Sequence, residues 1–68
     1  MKISARNILK GTIVEVVKGA TTSHVRIDIG GATVTAAITN EAVADLKLET
    51  GKQAYAVVKA SDVMIAID

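Results

Sequence analysis

The sequence predicts an all-β domain with one short helix, in the form of an OB-fold: a five-stranded, partly open barrel in the order β-β-β-α-β-β. Three observations carry this expectation. Runs rich in Val, Ile and Thr recur between Gly-containing turns; one capped helical stretch falls between the third and fourth of these runs; and 68 residues leave room for one domain, spanning 1–68.

The first strand is expected from about Asn7 to Val17, where Ile13-Val14-Glu15-Val16-Val17 follows an interior Gly11 that reads as a bulge or sharp bend. Lys18-Gly19-Ala20-Thr21-Thr22 is a turn. The second strand, His24 to Ile29, alternates so that Val25, Ile27 and Ile29 point inward and His24, Arg26 and Asp28 outward. Gly30-Gly31 supplies a hairpin turn into the third strand, Thr33 to Ile38.

Thr39 or Asn40 then caps a short helix in which Glu41 complements the positive end and Ala42, Val43 and Leu46 form an apolar stripe. After the Glu49-Thr50-Gly51 turn come a fourth strand, Gln53 to Lys59, and a fifth, Val63 to Ile67. An SH3-like barrel has a similar strand count but normally lacks a helix at this position, which makes it the lesser fold reading.

Composition narrows the function classes. No cysteine is present and His24 stands alone, so neither disulfides nor a Cys/His zinc site staples this small core, and subunit contacts remain as the usual third means. Half of the residues are hydrophobic, yet Tyr55 is the only aromatic; this β-branched surface exceeds what one small core encloses, so a second copy is expected to cover an apolar face. A formal charge of +1, spread along the chain, lacks the strongly basic face of a nucleic-acid binder. With no apolar run near the roughly 20 residues of a membrane span and no leader-like N-terminus, a cytoplasmic protein is expected.

Catalysis has little material here: no cysteine, one histidine on the outward face of a strand, and no paired carboxylates beside a nucleophile. Stacking of single-stranded nucleic acid needs an aromatic platform that Tyr55 alone does not make. Polar residues do cluster at strand ends, with Ser4, Arg6 and Asn7 at one end of the chain and Lys59, Ala60, Ser61 and Asp62 at the other. Arg6 offers a planar fork of donors, Lys59 a compact charge, and the serines hydroxyl donors, a mixture suited to a tetrahedral dianion. Asp62 would repel such an anion and is expected to face away, its side chain capping a turn. Surface charges at strand ends and a plain turn account for the same residues, and residue type alone does not choose between the two.

Ser4-Ala5-Arg6-Asn7 followed by Leu9-Lys10-Gly11 resembles the opening signature of the molbindins, the small molybdenum-pterin-binding-protein family. Ala37-Ile38-Thr39, Leu46-Lys47-Leu48-Glu49-Thr50-Gly51 and Lys59-Ala60-Ser61-Asp62-Val63 resemble its later landmarks, so the likeness covers essentially the whole chain. It implies an OB-type protein without enzymatic activity that binds molybdate or tungstate at the subunit interfaces of a homohexamer, a trimer of dimers. Carried over by position, the oxyanion contacts are Ser4, Arg6, Thr39, Lys59 and Ser61, with backbone donors near Ala5 and Ala60; no protein side chain ligates the metal directly. The family has a second class of anion site near its threefold axis, for which this sequence offers Lys18, Gly19, Thr21 and Thr22. Storage or buffering of the anion is the implied role, and no cofactor is expected despite the family's name. The alternative is an OB or SH3-like module that binds a protein or single-stranded nucleic acid.

Overall fold

The long first strand organises the molecule. In the computed structural model, which describes residues 1–68, it runs over Asn7–Lys18 (β1) and serves two neighbours in turn. Its first half, Asn7 to Thr12, pairs antiparallel with Gln53–Val58 (β4), and its second half, Thr12 to Lys18, pairs antiparallel with Thr22–Asp28 (β2). Thr12 belongs to both ladders, opposite Gln53 on one side and Asp28 on the other. One strand therefore joins both halves of a curled sheet, as an OB-type barrel requires.

Gly11 stands at this crossover. A β-carbon there would lie 2.4 Å from the Asp28 carbonyl oxygen and 2.6 Å from Ile27 Cγ2. The expected bulge is not at Gly11, where pairing with Ala54 is regular; it lies at Val14, which is skipped between the Ile13–Ile27 and Glu15–Arg26 pairs. Gly11 permits close approach of backbone, and the bulge adds bend three residues later. The Arg26 guanidinium donates to the Glu15 carboxylate beside that bulge.

The hairpin from β2 into Thr33–Thr39 (β3) turns at Gly30-Gly31 as anticipated. Both glycines have positive φ, +94° and +89°, and Ile29 N–H donates to the Ala32 carbonyl across them at 2.9 Å. Positive φ at both central residues is the requirement of the hairpin turn whose twist matches the flanking strands.

The helix covers Asn40–Leu46 (α1), and Thr39 is its cap: the hydroxyl accepts from Ala42 N–H at 3.1 Å. Asn40 has a different task. Its side chain accepts from the Ser23 hydroxyl and donates to the Gly19 carbonyl, closing a half-buried polar contact between α1 and the start of β2. Ser23, only 1% exposed, lies on the same inward face as Val25 and Ile27. At the other end of α1, Lys47 takes a left-handed conformation while Lys47 and Leu48 N–H groups bond back to Ala44 and Val43. Lys52 Nζ covers the Leu46 and Lys47 carbonyls, both at 3.1 Å. Thr39→Ala should lower stability by about 1 kcal/mol through the lost cap, read as a lower thermal midpoint, and Thr39→Ser should restore most of it.

The strand order is β3-β2-β1-β4, so the sheet has four strands and its outer edges, β3 and β4, remain unpaired. The expected fifth strand is absent. After β4 the chain makes a 3-10 turn, Ala60–Asp62, and Val63 onward finds no ladder partner within the chain. Val63 itself is extended, with φ −87° and ψ 127°. Its β-branched pattern specifies extended backbone, while pairing depends on which edge is within reach.

The core is correspondingly thin: Ile13, Val25, Ile27 and Ala56 are buried, with Val16, Val34, Ile38, Val43 and Leu48 packed around them. A compact monomer of this mass exposes about 4,000 Å², whereas this chain exposes 5351 Å². No helix is long and apolar enough to cross a membrane.

Candidate functional site

The two polar clusters at opposite ends of the chain meet in the fold. Asn7 and Val58 form the last rung of the β1–β4 ladder, so the residues before Asn7 and those after Val58 leave the sheet at one place. Asn7 Nδ2 ties the two segments by donating to the Val58 carbonyl at 3.2 Å. Ser4, Ala5 and Arg6 from one side and Lys59, Ala60 and Ser61 from the other then line a single open depression of about 610 Å³, together with Ile3, Val57 and Asp62.

Arg6 is folded over its own approach segment: Nε donates to the Ser4 carbonyl at 2.9 Å and one terminal nitrogen to the Ile3 carbonyl at 3.4 Å. These bonds fix the plane of the guanidinium and leave most of its five N–H groups unused. The Lys59 ammonium makes no hydrogen bond or ion pair with the protein; the only ion pair joins Arg26 to Glu15. The 3-10 turn after Lys59 closes through Asp62 N–H to the Lys59 carbonyl at 2.9 Å and Val63 N–H to the Ala60 carbonyl at 3.3 Å. The first amides of that turn, on Ala60 and Ser61, have no partner inside it. Two uncompensated cations, two serine hydroxyls and free backbone donors thus converge where a tetrahedral anion could exchange its water for hydrogen bonds.

Asp62 departs from expectation. It lines the same depression instead of facing away, and its carboxylate caps no turn. With Arg6 and Lys59 contributing +2 and Asp62 −1, one chain presents a net +1 to a ligand that carries −2.

Thr39 is not part of this depression. It pairs with Thr22 at the opposite end of β1, where Lys18 lies against Ser23. Around it lie Gly19 and Thr21, whose carbonyls accept from the Asn40 side chain and backbone, at 3.0 and 2.9 Å. Within one chain, then, Thr39 groups with Lys18, Gly19, Thr21 and Thr22. Its hydroxyl accepts from Ala42 N–H and still has a proton to donate.

Asn7, treated in the sequence as one more polar residue, is the clamp that aligns the two motifs. Its position as the first residue of the first strand is the only local signal. Ser23 continues the inward alternation of Val25 and Ile27 by two residues, which is the sequence signal for its burial. His24 is exposed on β2, and no group of three His, Cys, Asp or Glu residues is placed to hold a metal ion.

Residues 3–65 match the family model described as the TOBE domain. A probable molybdenum-pterin-binding protein of Haemophilus influenzae is 48% identical over the full length of both chains. Molybdenum-pterin-binding protein 3 of Clostridium pasteurianum is 47% identical, over 96% of this chain and 97% of that one. Among solved structures, a molybdate binding protein from Sporomusa ovata superimposes with a TM-score of 0.93 and 42% identity, covering 98% of this chain and 100% of the other.

Proposed function

This chain belongs to the TOBE-domain family, among the molybdenum-pterin-binding proteins, and from that premise we propose that it binds molybdate or tungstate as the intact oxyanion and stores or buffers it in the cytoplasm. Ser4, Arg6, Lys59 and Ser61 hold the anion, with backbone donors at Ala5 and Ala60. The observation that carries this reading is the meeting of the Ser4–Arg6 and Lys59–Ser61 segments around one depression with two unpaired cations.

The protein acts as a homo-oligomer, a hexamer built as a trimer of dimers, and the anion lies between subunits. Two observations support a shared site. One depression offers a net +1 to a dianion, and Thr39 lies outside it, at the other end of β1. A second anion position is assigned to the Lys18, Gly19, Thr21 and Thr22 end of the molecule, where three exposed polar side chains surround a tight turn. The chain is a binding protein and performs no catalysis.

Calorimetric titration with molybdate, tungstate and sulfate, combined with light scattering, tests the proposal. Saturable binding of molybdate and tungstate to an oligomer is expected, with sulfate, the smaller anion, binding more weakly. A monomer that takes up no molybdate at millimolar concentration would overturn it. Asp62→Asn should raise molybdate affinity, by roughly two- to tenfold at low salt and less as salt screens the carboxylate.

A further inference from the structure

Charge does not balance in the depression at the end of the β1–β4 ladder once a dianion enters it. Arg6 and Lys59 bring +2 and Asp62 −1 to the lining, and the other lining residues, Ile3, Ser4, Ala5, Val57, Ala60 and Ser61, have uncharged side chains. A tetrahedral dianion added to this set leaves one negative charge in excess. A single proton cancels it.

The carboxylate is also without a partner. Asp62 is held in the 3-10 turn by its backbone, whose N–H donates to the Lys59 carbonyl at 2.9 Å. Its side chain pairs with neither cation of the depression, since the only ion pair of the molecule joins Arg26 to Glu15. Arg6 and Lys59 are therefore not spent on Asp62. An ionised carboxylate only accepts hydrogen bonds, and so does a fully deprotonated oxyanion. Two such groups do not both stay ionised at hydrogen-bond distance, and a proton held between them turns the repulsion into a charge-assisted hydrogen bond.

We propose that the depression binds its anion together with one proton, taken from solvent and shared between the Asp62 carboxylate and an oxygen of the anion. This rests on the proposed anion site and adds its regulation. The complex holds a proton that the free depression does not, so affinity rises as pH falls, by at most about tenfold per pH unit for one proton. The charged groups facing Asp62 across the depression are Arg6, from the segment before β1, and Lys59, from the end of β4; His24 and the Met1 amine lie outside its lining.

A shared proton also makes Asp62 a selectivity residue. The oxygens of molybdate and tungstate hold a proton more tightly than those of sulfate, hydrogensulfate being the stronger acid. Sulfate therefore recovers less of the repulsion from Asp62 and is disfavoured beyond the effect of its smaller size.

Calorimetric titration with micromolar molybdate, in pairs of buffers that differ in ionisation enthalpy, counts the protons taken up per anion. Between about pH 8 and 6 the parent should take up a measurable fraction of one proton, and its affinity should rise as the pH is lowered. Asp62→Asn keeps Arg6, Lys59, His24 and the Met1 amine, so uptake at any of these would persist in it; the expected result is no uptake and an affinity that stays level with pH. Its advantage over the parent should accordingly shrink toward acid pH, and its preference for molybdate over sulfate should narrow. Asp62→Glu restores a carboxylate and should restore both the uptake and the slope, which a purely structural role in the turn would not require. Molybdate binding without proton uptake in the parent overturns the proposal and leaves the anion site standing. Equal uptake in the parent and in Asp62→Asn overturns it by placing the proton on another group, and an unchanged molybdate-to-sulfate ratio in Asp62→Asn overturns it by showing that the anion has no share in the proton. A parent that binds no molybdate removes the anion site, and this inference with it.

Discussion

Gly11→Ala should destabilise the domain by about 3 kcal/mol or more. Overpacking a sound core costs roughly 1–3 kcal/mol, and here the added carbon would sit 2.4 Å from the Asp28 backbone oxygen and 2.6 Å from Ile27 Cγ2. Neither neighbour has room to give. Asp28 pairs with Thr12 on β1 and with Thr33 on β3, and Ile27 belongs to the buried core. Relief would require separating β1 from β2 at the residue where β1 passes between its two ladders.

A domain of this size has a total stability of roughly 3–10 kcal/mol, so the loss removes a large share of it. Gly51→Ala is the informative comparison. Gly51 has φ +93° but no atom within 4 Å of an added β-carbon, so its substitution carries only the left-handed backbone cost of roughly 1–2 kcal/mol. Urea denaturation followed by circular dichroism should rank Gly11→Ala well below Gly51→Ala. Equal midpoints would mean that β1 and β2 are not so closely apposed.

Gly11 also shows how far the sequence could be read. An interior glycine in a strand signals a bulge or sharp bend, and nothing local shows that the glycine instead serves close approach of backbone; the bulge falls on Val14, a residue with strong strand preference. Where the cause of structure is local, expectation and fold agree. The alternation of Val25 and Ile27, the paired positive-φ glycines at 30 and 31, and Thr39 as helix cap each depend on a few adjacent residues.

Where the cause is a partner distant in sequence, or on another chain, agreement stops. The fifth strand was legible as extended backbone but not as unpaired. Asp62 was expected to turn outward on electrostatic grounds, yet the short 3-10 turn brings it into the depression. The candidate site divides along the same line. Ser4, Ala5, Arg6, Lys59, Ala60 and Ser61 converge because one rung, Asn7 with Val58, ends both segments. Thr39, carried over from the family pattern, lies at the other end of β1.

Arg6→Ala and Lys59→Ala should each weaken molybdate binding by roughly ten- to a hundredfold, the equivalent of about 1.5–3 kcal/mol for a hydrogen bond to a charged group. The two losses arise differently. Arg6 presents an oriented fork, its plane fixed by bonds to the Ser4 and Ile3 carbonyls, so Arg6→Lys should recover charge but little of the affinity. Lys59 acts as a mobile charge with no protein partner, so Lys59→Arg should retain more. Because both cations serve one anion, the double substitution should not cost the sum of the singles. With both removed, Asp62 leaves the depression at net −1, and saturable binding should vanish from calorimetry. A thermal measurement separates this from misfolding. Both side chains are exposed and outside the core, so the variants should melt near the parent temperature without ligand, and only the parent should gain stability when molybdate is added, by about 2.7 kcal/mol at a hundredfold excess over Kd. A parent-like molybdate shift in the double variant would show that the anion is held elsewhere, and the polar turn at Lys18 to Thr22 would then be the next place to look.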